Sequence, residues 1–124
     1  MRIALVLCLS VAMMTGASAM GISFEWGPTK KCFDSKTPPI KLTDVPAGTT
    51  QLDVRMIDTN AIGFSHGGGK VTYTGQAALP YGAVKYKGPC PPLGTHYYSI
   101  TVKALDASGK TLATAKDKQP FAKK

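Results

Sequence analysis

The stretch THYYSITVKALD, Thr95 to Asp106, alternates strictly between apolar and polar residues. Ile100, Val102 and Ala104 fall on one side; Tyr97, Ser99, Thr101 and Lys103 fall on the other. Side chains of an extended chain point to opposite faces in turn, so this pattern demands a half-buried β-strand. Counting back by two puts Tyr98 and His96 on the core side as well. A histidine and a tyrosine thus open a buried strand face, directly behind Gly88-Pro89-Cys90-Pro91-Pro92-Leu93-Gly94. That segment cannot be regular, because its three prolines lack the amide hydrogen a ladder requires.

The rest of the chain agrees with an all-β fold. No long stretch has apolar residues at helical spacing, and glycine, proline and threonine are frequent. Ile22, Phe24 and Trp26 alternate and predict a first strand that ends at Gly27-Pro28. Thr37-Pro38-Pro39 predicts extended loop, and Val45-Pro46-Ala47-Gly48 a turn. In TTQLDVRMID, Leu52, Val54 and Met56 share a face, and Asp58 continues it. Burying a carboxylate is costly unless it is hydrogen-bonded or paired. Either the strand stops at Ile57 and Asp58 is a solvated turn residue, or Asp58 points into a cavity. Val71 to Thr74 and Ala83 to Lys87 read as short strands, the second an edge because of its lysines. Asp106 to Gly109 is a turn from which Thr111 to Ala115 returns as a hairpin, and residues 116–124 read as a tail free to fray.

The amino end follows the signal-peptide pattern: Arg2, an apolar run from Ile3 to Met14 broken by Ser10, then Thr15-Gly16-Ala17-Ser18-Ala19. The run is short for a membrane span, which takes roughly 20 apolar residues. Residues 1–19 are therefore expected to be cleaved, leaving 20–124 as a single domain in an exported, periplasmic or secreted protein. Cys8 would leave with the leader. Cys32 and Cys90 remain, and two cysteines in an exported chain predict a disulfide. Removing Arg2 leaves 14 basic and 7 acidic residues, a formal charge of +7. The lysines are dispersed and not interleaved with aromatics, which argues against nucleic acid. A soluble cationic surface with weak attraction to an anionic membrane follows instead.

The sequence FSHGGGK, around His66, invites three chemistries. An oxyanion turn needs a serine in G-x-S-x-G, which is absent. A phosphate-binding loop needs glycine where Phe64 stands and a hydroxyl residue where Val71 stands. Asp58, His66 and His96 are the residue types of a two-histidine, one-carboxylate metal triad, but no local ligand spacing supports it, and no cofactor motif is present.

The segment GPCPPLGTHYY resembles the G-P-x-P-P-x-G-x-H-x-Y segment of the phosphatidylethanolamine-binding protein (PEBP) family. PPIKLTDVPAGTTQLDVRMID resembles the family's S-P-P-x-x-W/L and P-x-G-T…D segments, and FSHGGG falls where the family has its histidine-containing central box. The resemblance covers roughly residues 32 to 115 and implies a PEBP-like antiparallel β-sandwich with little or no helix. It also implies a small pocket for anions such as a phospholipid headgroup phosphate. On the matching positions it would be lined by Asp58, His66, Pro91, Pro92, His96 and Tyr98. Imidazole N–H and phenol O–H groups in a sheltered cleft can bind an anion, and a histidine gains proton affinity as it does so. The chain departs from the family at Thr59-Asn60-Ala61-Ile62, which lacks the D-P-D-x-P prolines, and at Phe64-Ser65, which replace tryptophans. The implied function is non-catalytic binding of a small anionic ligand without a cofactor. The alternatives are a secreted protein-interaction module, such as a protease inhibitor, and a metal-assisted hydrolase using the Asp/His cluster.

Overall fold

The structure, a computed structural model, describes residues 19–122; residues 1–18, on which the expected signal peptide falls, and the last two lysines lie outside the described residues. Seven strands run in chain order: β1 (Gly21–Phe24), β2 (Ile40–Thr43), β3 (Gln51–Asp58), β4 (Ser65–Thr72), β5 (Ala78–Leu79), β6 (Thr95–Leu105) and β7 (Thr111–Ala122). They form a three-stranded sheet, β1-β2-β5, and a four-stranded sheet, β4-β3-β6-β7, with every pairing antiparallel.

The two sheets close on one apolar core. From the large sheet come Leu52, Val54, Met56, Tyr98, Ile100, Val102 and Ala104; from the small one, Phe24, Ile40, Leu42 and Leu79. The alternation read from β3 and β6 is the alternation of burial along them. Two polar links tie the sheets together at one edge. The Phe24 N–H donates to Asp117 Oδ2 at 3.0 Å, and Trp26 Nε1–H donates to the Pro120 carbonyl at 2.7 Å.

Several local expectations change. β1 ends at Phe24, and Trp26 packs edge-on against Phe24, Tyr98 and Phe121 beyond it. The expected Ala83–Lys87 strand is instead a bend at Ala83–Val84 followed by a single bridge, Lys36↔Lys85. The amide of Thr37 reaches the Val84 carbonyl and that of Tyr86 reaches Ser35, but the prolines at 38, 39 and 80 supply no amides to lengthen the ladder. The expected fraying tail is instead the second half of β7, which pairs with β6 in continuous register from Ala113 to Ala122, after a bulge at Leu112. Its Pro120 is tolerated because β7 is an edge strand. β4 begins at Ser65, so the three glycines after His66 lie in a strand and not in a turn before one.

That glycine run has a specific geometry. Arg55 pairs with Gly68, yet Ile57 pairs with Ser65, so His66 and Gly67 together oppose Met56 alone. This is a β-bulge, and its extra residue reverses the facing of what precedes it. Without it His66 would share the outer face with Gly68 and Lys70; with it His66 is buried. Gly67 has φ +70° and Gly68 φ +147°, and a Cβ on Gly68 would lie 1.9 Å from the Val54 carbonyl oxygen. Only glycine allows both the positive dihedrals and that approach to β3.

Candidate functional site

Asp58 is the last residue of β3 and keeps the inward phase of Leu52, Val54 and Met56, so the cavity alternative holds and it is buried. The register sets it opposite Tyr98 on β6. Two residues before Tyr98, the His96 Nδ1–H donates to Asp58 Oδ2 at 2.5 Å, while the Asn60 N–H donates to Oδ1 at 2.8 Å. Burial alone would raise the Asp58 carboxyl, but the His96 and Asn60 hydrogen bonds, with the nearby imidazoles, hold it below the usual aspartate value.

His66 reaches the same place from β4. Its Nδ1–H donates to the Lys87 carbonyl at 2.6 Å, and the Lys87 N–H donates back to the His66 carbonyl at 2.8 Å. A carbonyl can only accept, so this bond fixes the proton on Nδ1 and leaves Nε2 for a ligand. The His66 ring meets Tyr98 edge-on with centroids 5.4 Å apart, and the His96 ring is tilted to Tyr98 with centroids 6.4 Å apart. Tyr98 is wholly buried and its hydroxyl has no hydrogen-bond partner. The hydroxyl lies close to the Asp58 carboxylate and the Cys90 backbone, neither at bonding geometry. Burial, then the Asp58 charge, pushes the phenol up to about 12, so it stays a neutral donor.

Beside this cluster opens a cleft of about 280 Å³ lined by Phe33, Asp58, Ala61, Phe64, His66, Cys90 and Pro92. Of the residues implied by the resemblance, Asp58 and His66 line the cleft directly, and Pro92 stands on its rim. His96 and Tyr98 are not part of that lining and adjoin it through contacts to Asp58 and His66. Pro91 is packed into the interior and contributes no surface to the cleft. Among the described residues no three His, Cys, Asp or Glu side chains come together as a metal site. Cys32 and Cys90 form a disulfide, with Cα atoms 4.7 Å apart.

Phe33 and Lys87 complete the rim, and sequence reasoning passed over both. Phe33 and Phe64 stack at 6.0 Å with an angle of 22°, and the Lys87 ammonium sits 4.8 Å and 4.9 Å from their ring centres. The signal lay in the cysteines: joining Cys32 to Cys90 brings the residue after one beside the approach to the other. The local chain is also pinned by buried Asp34, which accepts from the Lys36 N–H and from the Tyr81 hydroxyl. A second cleft, of about 380 Å³, lies on the outer face of the large sheet and is lined by Asp53, Arg55, Thr101, Lys103, Thr114 and Lys116.

No family model matches the chain, and no curated protein matches it. Solved structures similar to it include the following two. One is the phosphatidylethanolamine-binding protein homolog CT736 of Chlamydia trachomatis, at 18% identity and a TM-score of 0.60, over 86% of this chain and 99% of the other. The other is YbcL of E. coli, described as a member of the mammalian PEBP family, at 18% identity and a TM-score of 0.62, over 86% of this chain and 100% of the other. Antiparallel, closed around one inter-sheet core and without helix among the described residues, this chain has the fold of the phosphatidylethanolamine-binding proteins.

Proposed function

We propose that this chain is an exported, non-catalytic binding protein whose cleft takes a small anion of the phosphate or phospholipid-headgroup type. The observation that carries this reading is the Tyr98 hydroxyl, a buried donor with no protein partner beside the Asp58–His96 pair and His66. An unpaired buried donor costs about 1–3 kcal/mol, a cost that a ligand oxygen would remove. The Nε2 atoms of both histidines are left over by the bonds at Nδ1. An imidazolium offers a donor at each ring nitrogen, which suits an anion. The names of the two structural neighbours point to the same ligand class. The cationic outer face of the large sheet supports a weak second contact with an anionic membrane surface.

The test is calorimetric titration with inorganic phosphate and glycerol 3-phosphate. A hydrogen bond to a charged group is worth about 1.5–3 kcal/mol, so His96→Ala and Tyr98→Phe should each weaken binding roughly tenfold or more. Tyr98→Phe should stay folded, since its hydroxyl has no protein partner to lose. If both variants bind as the parent does, the pocket reading is wrong. Protease inhibition that survives both substitutions would instead indicate a surface-loop inhibitor.

A further inference from the structure

An aromatic pair at the mouth of an anion cleft is where a cationic headgroup would be expected to rest. Ammonium groups are drawn to the faces of aromatic rings within about 6 Å of the centroid. Here that place is filled from within the chain. The Lys87 ammonium lies 4.8 Å from the Phe33 ring centre and 4.9 Å from that of Phe64, and both rings line the cleft.

Lys87 is not a loose side chain that happens to touch them. Its N–H and C=O exchange hydrogen bonds with the backbone carbonyl and Nδ1–H of His66, so its backbone is fixed to a cleft residue. The next residue, Gly88, runs so close to Asp34 that a Cβ would lie 2.4 Å from the Asp34 carbonyl oxygen. Phe33 precedes Asp34, takes φ +52°, and follows a cysteine joined to Cys90. Phe64 comes from the turn that enters the β4 bulge. Three separate stretches thus hold two rings and one ammonium together at the rim.

We propose that Lys87 is a specificity residue, which makes the cleft prefer phosphomonoesters without an amine over aminated headgroups such as phosphoethanolamine. The inference rests on the anion-cleft reading above. A phosphate in the cleft gains from the nearby ammonium. A ligand amine one ethylene away from that phosphate finds the aromatic pair taken and meets a like charge, which raises the cost of the wrong ligand as well as favouring the right one. Asp58 offers the amine little compensation, because its two oxygens already accept from His96 and Asn60.

The experiment compares glycerol 3-phosphate with phosphoethanolamine at constant ionic strength, by calorimetry, on the parent, on Lys87→Met and on Lys85→Met. The first variant keeps an unbranched apolar stem over the rings. The second removes the same charge from a nearby exposed lysine whose ammonium lies over neither ring. The parent should bind glycerol 3-phosphate at least fivefold more tightly than phosphoethanolamine. Lys87→Met should bring that ratio close to one, by weakening the first ligand and strengthening the second, and Lys85→Met should leave it unchanged. Equal affinities in the parent, a ratio unmoved by Lys87→Met, or the same change in Lys85→Met would each overturn the proposal while leaving the anion cleft in place. If neither probe binds the parent, the anion cleft itself fails and the preference falls with it.

Discussion

Replacing Gly68 by alanine tests whether the β4 bulge is what turns His66 inward. The added Cβ would stand 1.9 Å from the Val54 carbonyl oxygen and 2.9 Å from the Arg55 Cα, both backbone atoms of the neighbouring strand. Neither can swing aside as a side-chain tip could, so the β3–β4 ladder must open locally. The φ of +147° adds strain of about 1–3 kcal/mol for a residue with a side chain. Losing one or two ladder hydrogen bonds adds about 1 kcal/mol each. A stiffer unfolded chain returns about 0.4–1 kcal/mol, so the net loss is about 3 kcal/mol. Gly67→Ala is the control: it also has positive φ, +70°, but no atom lies within 4 Å of its Cβ. It should cost only the dihedral term, about 1 kcal/mol after the same offset. Urea unfolding of the three proteins, followed by far-UV circular dichroism, reads the difference. Phosphate titration should show Gly68→Ala impaired further than Gly67→Ala, because the displaced strand carries His66. If Gly68→Ala is no less stable than Gly67→Ala, the close approach to β3 is not what fixes the bulge.

Three other outcomes follow from the same structure. Replacing Cys32 and Cys90 with serine opens a loop whose ends are 58 positions apart, which should lower stability by about 4 kcal/mol in the chain-entropy picture; a loss under about 1 kcal/mol in urea would show that the Asp34–Gly88 packing holds the rim unaided. Asp58 and Asp34 both have carboxyls held below the usual value, since their hydrogen bonds outweigh burial. Their contribution is therefore present above the ordinary aspartate value near 3.8 and is lost as pH falls through the depressed one. Urea midpoints should drop between pH 6 and pH 3, less steeply in Asp58→Asn, and an unchanged slope in that variant would remove Asp58 from the account. Vesicles containing anionic lipid should bind the parent at low salt and release it near 0.5 M, where the Debye length is only about 4 Å; charge reversal at Arg55, Lys103 and Lys116 should abolish binding, and retention would point to another face.

Reading along the chain locates the parts of the site whose signal is local. Asp58, His96 and Tyr98 sit on β3 and β6, strands buried on one face only, where strict alternation assigns each side chain to a side. The resemblance then implies a pocket that the three residues share. His66 is different. A period-of-two count back from Val71 would turn it outward, because a bulge shifts the phase by one and only the pairing with β3 reveals it. β2 and β5 escaped notice because they are four and two residues long and bounded by prolines or turns. β7 escaped past Ala115 because an edge strand bearing Lys116, Lys118 and Pro120 has little apolar alternation to show. Lys87 and Phe33 lie outside any strand, and only the disulfide and the Gly88–Asp34 contact make them neighbours.

The reciprocal bonds between His66 and Lys87, with the pairing of Asp58 against Tyr98, also bear on how the protein comes to function. The groups around the cleft come from residues 33, 58–66, 87–92 and 96–98, and nearly every contact among them spans a long stretch of chain. The final strand, β7, supplies Asp117 and Pro120 to lock the second sheet, and Phe121 packs on Tyr98 from the same strand. Sheets joined by such distant pairings assemble late and together, typically in milliseconds to seconds. No partly folded form would then hold a working cleft, so recovery of ligand binding after dilution from denaturant should follow the same time course as recovery of the whole sandwich.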